Sequence, residues 1–401
     1  MLHCRGPSEA AKQYPKKKFK KAAQFHGDIN ITKNNKTYWS TGLSINTFNY
    51  YGDIAPATSF ASTDISFTRP TVGWVLSRRI APRFSVKGNY NWGILKASDL
   101  EATRNDWDQT EDLYRTVRNL SFRNNIHELS LTLVADLFEN HRGAINRPVI
   151  TPYFETGVTV FYHNPKAQVP RYDYVNTFDT ETGQYVDPFN PPAGWEPTEL
   201  ENAGDWVSLR SLQTEGQNAG LSHEYSNWQL AVPFTLGARY RLNNALDLSL
   251  QFSYRWLFTD YIDDIGGNYA NPDMLKSDLA RVMAFRTLEI MVPNSEGLRD
   301  QVNTLLPSHS PNVYTAEDGR QYGIWSGNGS IQPGINPNTG EPIENTACRA
   351  CGAQGNDQYI VTSIQLTYII GMPNPFGGMN PFRFYGGGGG GGGRRRSSRF
   401  R

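Results

Sequence analysis

The chain has 401 residues, a formal net charge of +1 and three cysteines. A balance so near neutral offers no electrostatic footprint for nucleic acid, and no apolar run reaches the roughly eighteen residues of a transmembrane helix. A membrane β-barrel stays open, because its strands turn every second side chain inward and average out polar; 21 Tyr, 20 Phe and 9 Trp lean that way.

In chain order, residues 1–36 come first, with the basic stretch Lys16-Lys17-Lys18-Phe19-Lys20-Lys21. No apolar stretch follows it, so no export signal is legible. Period-two alternation, the mark of a strand with two unlike faces, begins at 38–50, with Trp39, Leu43 and Ile45 against Ser40, Gly42, Ser44 and Asn46. It recurs at 71–77 (Val72, Trp74 and Leu76 against Gly73 and Ser77) and at 84–94 (Val86, Tyr90 and Trp92 against Lys87, Asn89 and Asn91). Segment 126–137 sets Leu129, Leu131 and Leu133 against Glu128, Ser130 and Asp136, and 151–162 sets Phe154, Val158 and Val160 against Tyr153, Glu155 and Thr159. Segment 228–241 sets Trp228, Leu230, Phe234 and Leu236 against Gln229, Arg239 and Arg241. Segment 246–256, LDLSLQFSYRW, sets Leu248, Phe252, Tyr254 and Trp256 against Asp247, Ser249 and Arg255, and 358–370 closes the series with Ile364, Leu366 and Ile370 against Ser363 and Gln365.

These are eight segments of about ten residues, the length a tilted strand needs to cross a bilayer. Their connections alternate. Long ones at 51–70, 95–125, 163–227 and 260–357 are separated by short turns at 78–83, 139–149 and 243–245. A soluble sandwich has no reason to gather every long loop at one end, whereas an outer-membrane barrel pairs short periplasmic turns with long external loops. The expected fold is therefore all-β: one eight-stranded antiparallel transmembrane β-barrel over 37–370 with long extracellular loops, in the outer membrane, both termini periplasmic. Lys87, Glu128, Glu155, Arg239 and Arg255 would form a charge network in an interior that side chains fill. Trp39, Trp74, Trp92, Trp228, Tyr254 and Trp256 would face lipid as an aromatic girdle.

The loops offer little chemistry. Cys348 and Cys351 form a CxxC with no second CxxC or paired His to complete a zinc site; a local disulfide or two idle thiols is expected. Thr259–Gly267, with Asp260, Asp263 and Asp264 before two glycines, could hold calcium, but its spacing is not that of an EF-hand, and a strand end with a tight turn is expected. Ser222, His223 and Glu224 are the only hint of a hydrolase, and neighbours on an extended chain point to opposite faces. The reading is non-enzymatic, with no metal, cofactor or small-molecule substrate. Residues 371–401 form a tail in which the polyglycine run Gly386–Gly393, a flexible linker, leads to Arg394, Arg395, Arg396, Arg399 and Arg401, either a disordered, solvated end or a basic hook for an acidic periplasmic partner, lipid phosphate or the cell wall.

Several segments, in order, carry a resemblance: FNYYGDIAP (Phe48–Pro56), RNLSFRNNIHELSL (Arg118–Leu131), TPYFETGVTVFYHNPKA (Thr151–Ala167), WVSLRSLQTEGQ (Trp206–Gln217) and YRWLFTDYIDDIGGNY (Tyr254–Tyr269). Together they resemble a family of small outer-membrane β-barrels of Bacteroidota that includes the PorG-like barrel subunit of the type IX secretion and gliding machinery. The resemblance implies an eight-stranded barrel with no catalytic residues. It also implies a periplasmic secretion-ring lipoprotein and its partner as companions, beside outer-membrane lipid. The polyglycine and arginine tail departs from the family's usual end. The alternatives are a stand-alone surface barrel that binds extracellular ligands or stabilises the envelope, and an outer-membrane hydrolase.

Overall fold

A computed structural model describes residues 36–54, 69–103, 115–141, 143–291, 312–324, 347–350 and 355–372. The basic N-terminal stretch, Cys351 and the five tail arginines from Arg394 to Arg401 lie outside the described residues.

Eight long strands form: β1 (Trp39–Tyr51), β2 (Arg69–Arg79), β3 (Phe84–Ser98), β4 (Ser121–Asp136), β5 (Ile150–Tyr162), β6 (Trp228–Arg241), β7 (Leu246–Leu257) and β8 (Gln358–Ile369). Each pairs antiparallel with its sequence neighbours. β8 returns to β1, with Leu366 opposite Leu43, and closes the circuit. Closure leaves no edge with unpaired backbone, a requirement in hydrocarbon. The protein is an eight-stranded antiparallel transmembrane β-barrel. The connections 80–83, 137–149 and 242–245 lie at one end of the barrel and the other four at the opposite end.

The pleat explains the two faces. Leu43 is 70% exposed and Leu236 67%, while Ser44 and Thr235 beside them are buried. Leu129, Leu131, Val158, Leu250, Phe252 and Ile364 continue the outward apolar band. An uncovered apolar surface of this extent does not suit water, so lipid covers it.

Two features differ from the sequence reading. The loop expected at 95–125 gives up both ends to the sheet, since β3 and β4 stay paired as far as Ser98 and Ser121. Moreover, the inward face is not polar throughout. Towards the loop end Phe48, Leu95, Phe122, Ile126, Phe161 and Val361 turn inward and pack with Ile54, Ile262 and Ile265 from the loops. Alternation by itself does not show which face is inside, and here both faces are apolar.

The loops carry their own structure. The strand Pro165–Gln168 extends the sheet from β4 and pairs with Trp206–Ser208. The helix Asp278–Ala284 begins with Ser277, whose hydroxyl accepts from the Ala280 amide. It helps bury a second core of Tyr269, Leu275, Phe285, Tyr322 and Ile324. A folded cap thus crowns the barrel.

Candidate functional site

The barrel interior is a chain of paired charges. Lys87 Nζ lies 2.8 Å from Glu155 Oε2 and also donates to Gln251 Oε1 at 3.0 Å. Glu128, wholly buried, takes Arg255 Nη2 at 2.5 Å, Asn91 Nδ2 at 2.9 Å and the Tyr359 hydroxyl at 2.8 Å. Arg79 and Arg239 share Asp136 at 2.7 and 3.3 Å. Buried ions are costly unless paired and hydrogen-bonded, and these are both. The five charges read from the sequence therefore all reach the interior, but as three clusters, with Asp136 and Arg79 completing one. A polar hollow near the turns is lined by Tyr38, Arg79, Lys87, Tyr153, Arg239 and Asp247. Arg147 closes the turn end. It pairs with Asp247 at 2.7 Å and donates to the carbonyls of Ala144, Asn243, Asn244 and Leu246. Its place in a turn hid it from period-two reasoning.

The aromatic residues stand outward. Trp39, Trp74, Trp92, Trp228 and Trp256 are exposed, and Tyr254 is half-buried. Trp228 packs edge-on against Tyr162 at 5.4 Å and Trp256 stacks on Phe258 at 6.5 Å, both at the loop end. Trp39 lies at the turn end beneath the Arg78 guanidinium. Trp74, opposite Leu43, donates its indole proton to Thr41 Oγ1 at 3.0 Å.

Ser222, His223 and Glu224 form no relay. The Ser222 hydroxyl is bonded to Tyr261 and Glu215, Glu224 accepts from Gln213, and none of the three is hydrogen-bonded to another. Cys348 is disulfide-bonded.

The Asp263-Asp264 pair holds more than a local turn. Asp263 Oδ1 does accept from the Ile265 amide two residues on, at 2.9 Å, as a turn requires. Its Oδ2 faces the Tyr50 hydroxyl at 2.6 Å, and that hydroxyl is 2.8 Å from Asp357 Oδ1. Asp53 joins them, so that Asp53, Asp263 and Asp357 each bring a carboxylate oxygen within 4.8 Å of the others. Burial, together with mutual repulsion, raises Asp263 and Asp357 well above the usual carboxylate range, and burial raises Asp53 to about 7 against the opposing pull of Arg118. Asp264 points elsewhere. It accepts from Thr214 and Tyr225 at 2.5 and 2.6 Å, and burial lifts it to about 6 although the Arg349 charge opposes this. Asp53, Asp357 and Tyr50 were not legible as a site, because they lie in three segments that only barrel closure brings together.

A family model described as "Domain of unknown function (DUF6089)" matches residues 28–182. No curated protein matches the chain. Among solved structures, the chain is similar to the outer membrane protein OprG from Pseudomonas aeruginosa, at 10% identity over 85% of this chain and 99% of that one, with a TM-score of 0.32. It is similar to Neisserial surface protein A at 6% over 83% and 97%, TM-score 0.26. It is also similar to Ail, the attachment invasion locus protein of Yersinia pestis, at 4% over 83% and 97%, TM-score 0.25. The closed strand circuit and the apolar outer band establish the barrel independently of these likenesses.

Proposed function

We propose that this chain is a non-enzymatic outer-membrane component that anchors or organises a type IX secretion or gliding complex. Its tight turns and termini would face the periplasm and its cap the exterior. The observation that carries a structural role is the interior. Its charges are spent on one another, Lys87 on Glu155, Arg255 on Glu128 and Arg79 on Asp136. An eight-stranded barrel filled in this way offers no open channel, so its working surfaces are its two ends. The secretion complex itself is supported by the resemblance of the five ordered segments. The periplasmic partners would be the ring lipoprotein and its companion, held by the turns and by the basic arms at Lys16–Lys21 and Arg394–Arg401.

The test is a pull-down of the tagged chain from outer membranes in mild detergent, with partners identified by mass spectrometry. Periplasmic ring proteins in near-equal amounts are expected, and fewer of them when residues from Gly386 onward are removed. A solitary barrel would overturn the secretion reading in favour of a surface barrel working through its cap. Unchanged co-purification of the truncated chain would overturn the role of the tail.

A further inference from the structure

The loop end of the barrel gathers three buried carboxyl groups with no cation among the described residues paired to any of them. Asp53 follows β1, Asp263 follows β7 and Asp357 precedes β8, and all three are at most 2% exposed. Among the described residues none of them forms an ion pair. The guanidinium beside them, Arg118, is committed to the Asp99 carboxylate through Nε and Nη2 at 2.8 and 2.7 Å, and touches Asp53 only through the backbone carbonyl. Two more buried cations lie on this side of the cap: Arg349 is held by Glu215 and the Asp264 carbonyl, and Arg115 acts on Asp53 through its charge, a smaller pull than that of Arg118.

The hydrogen bonds do not balance either. Asp263 Oδ1 takes the Ile265 amide and Asp357 Oδ2 the Ile262 amide. Tyr50 has one hydroxyl proton and two carboxylate oxygens within reach, so it satisfies one of them. Asp53 Oδ1 is buried with no hydrogen-bond partner at all. A buried carboxyl oxygen without a partner is rare and costly, and this one belongs to a side chain clustered with two other carboxyl groups.

We infer that Asp53, Asp263 and Asp357 bind one hard divalent cation of the calcium or magnesium class, which fastens the first loop and both ends of the last loop to the barrel rim. A cation supplies the missing charge for all three carboxylates and a partner for the orphan oxygen. The donors are carboxylate and phenol oxygens with no sulfur or imidazole among them, the set that suits calcium, magnesium or manganese and not zinc or copper. The backbone approaches closely at Gly52, where a Cβ would come 1.9 Å from Asp357 Oδ1 and 2.0 Å from the Tyr50 oxygen, so any side chain there would intrude on the ligands. The site spans segments up to 307 positions apart, so its occupant would govern whether the cap and the barrel behave as one body. This inference rests on the loop end alone and does not depend on any periplasmic partner.

The test uses the full chain in detergent micelles, stripped with a chelator and titrated calorimetrically with calcium chloride and, separately, with magnesium chloride. Thermal unfolding is followed in parallel. One saturable site per chain for either cation is expected, with a melting temperature that rises by several degrees on binding. Asp53→Asn and Asp263→Asn should each weaken binding at least tenfold. In the cation-free state both variants should melt at or above the wild-type temperature, because removing a charge relieves repulsion; that also shows that they fold. If neither cation binds saturably to the wild type, the acids are a proton-sharing cluster and the inference is overturned. Equal affinity in the Asp53→Asn, Asp263→Asn double variant would also overturn it, since the ion would then sit elsewhere.

Discussion

Arg255 reaches across the barrel to Glu128, Nη2 to Oε1 at 2.5 Å, although 127 positions of chain separate them. Both side chains are buried, so each is the other's principal counter-charge. Removing one member of a buried pair leaves the other desolvated and unmatched, at a cost of about 3–5 kcal/mol. Arg255→Ala should lower unfolding stability in micelles by about that amount. Arg255→Met combined with Glu128→Leu should cost less than either single change, and the double-mutant cycle measures the coupling.

The turn end makes a similar prediction with a different geometry. Arg147 binds Asp247 and four backbone carbonyls. Arg147→Lys keeps the charge but cannot reproduce the planar fork. Both Arg147→Lys and Arg147→Ala should therefore raise hydrogen exchange in the 137–149 and 242–245 turns, the alanine variant more. Exchange confined to background levels in both would mean that the turns hold without it.

The lipid-facing assignment is tested by depth. Leu131 is 65% exposed at the middle of β4, between Gly88 and Val158. Leu131→Arg should destabilise the barrel in bilayers by about 2–4 kcal/mol and much less in a water-filled setting. Equal effects in both would place that face against protein.

His163 gives a pH prediction outside the membrane band. It is buried, its Nε2 proton is donated to the Ser226 carbonyl at 3.0 Å, and Asn124 approaches Nδ1 at 3.5 Å. Burial lowers its pKa from 6.5 to about 4. The unfolded chain then binds a proton between those values that the folded chain refuses, so stability falls as pH drops from 6.5 to about 4 and levels off below. The loss attributable to this residue is on the order of 3 kcal/mol. It is read as the difference in pH dependence between wild type and His163→Gln, since raised acids such as Asp53 contribute with the opposite sign over part of the same range. Parallel profiles for the two proteins would refute the assignment.

Much of the architecture was present in the sequence, because a barrel wall obeys a local rule. Each strand alternates, so Leu129, Leu131 and Leu133 against Glu128, Ser130 and Thr132 declare two faces without reference to any other strand. The alternation of long and short connections then requires one crowded end and one tight end. The partners within that wall were not local. That Lys87 meets Glu155, and that Arg239 meets Asp136, depends on strand register and on which strands face one another across the lumen, and period two is silent on both. The loop end was the least legible. There the inward face becomes apolar with Phe48 and Phe161, and Asp53, Asp263 and Asp357 converge only because closure of β8 on β1 and β7 brings three strand ends to one point. Local periodicity therefore determined the strands, their faces and the ends at which they turn, while long-range closure decided which charges pair and where three acids meet.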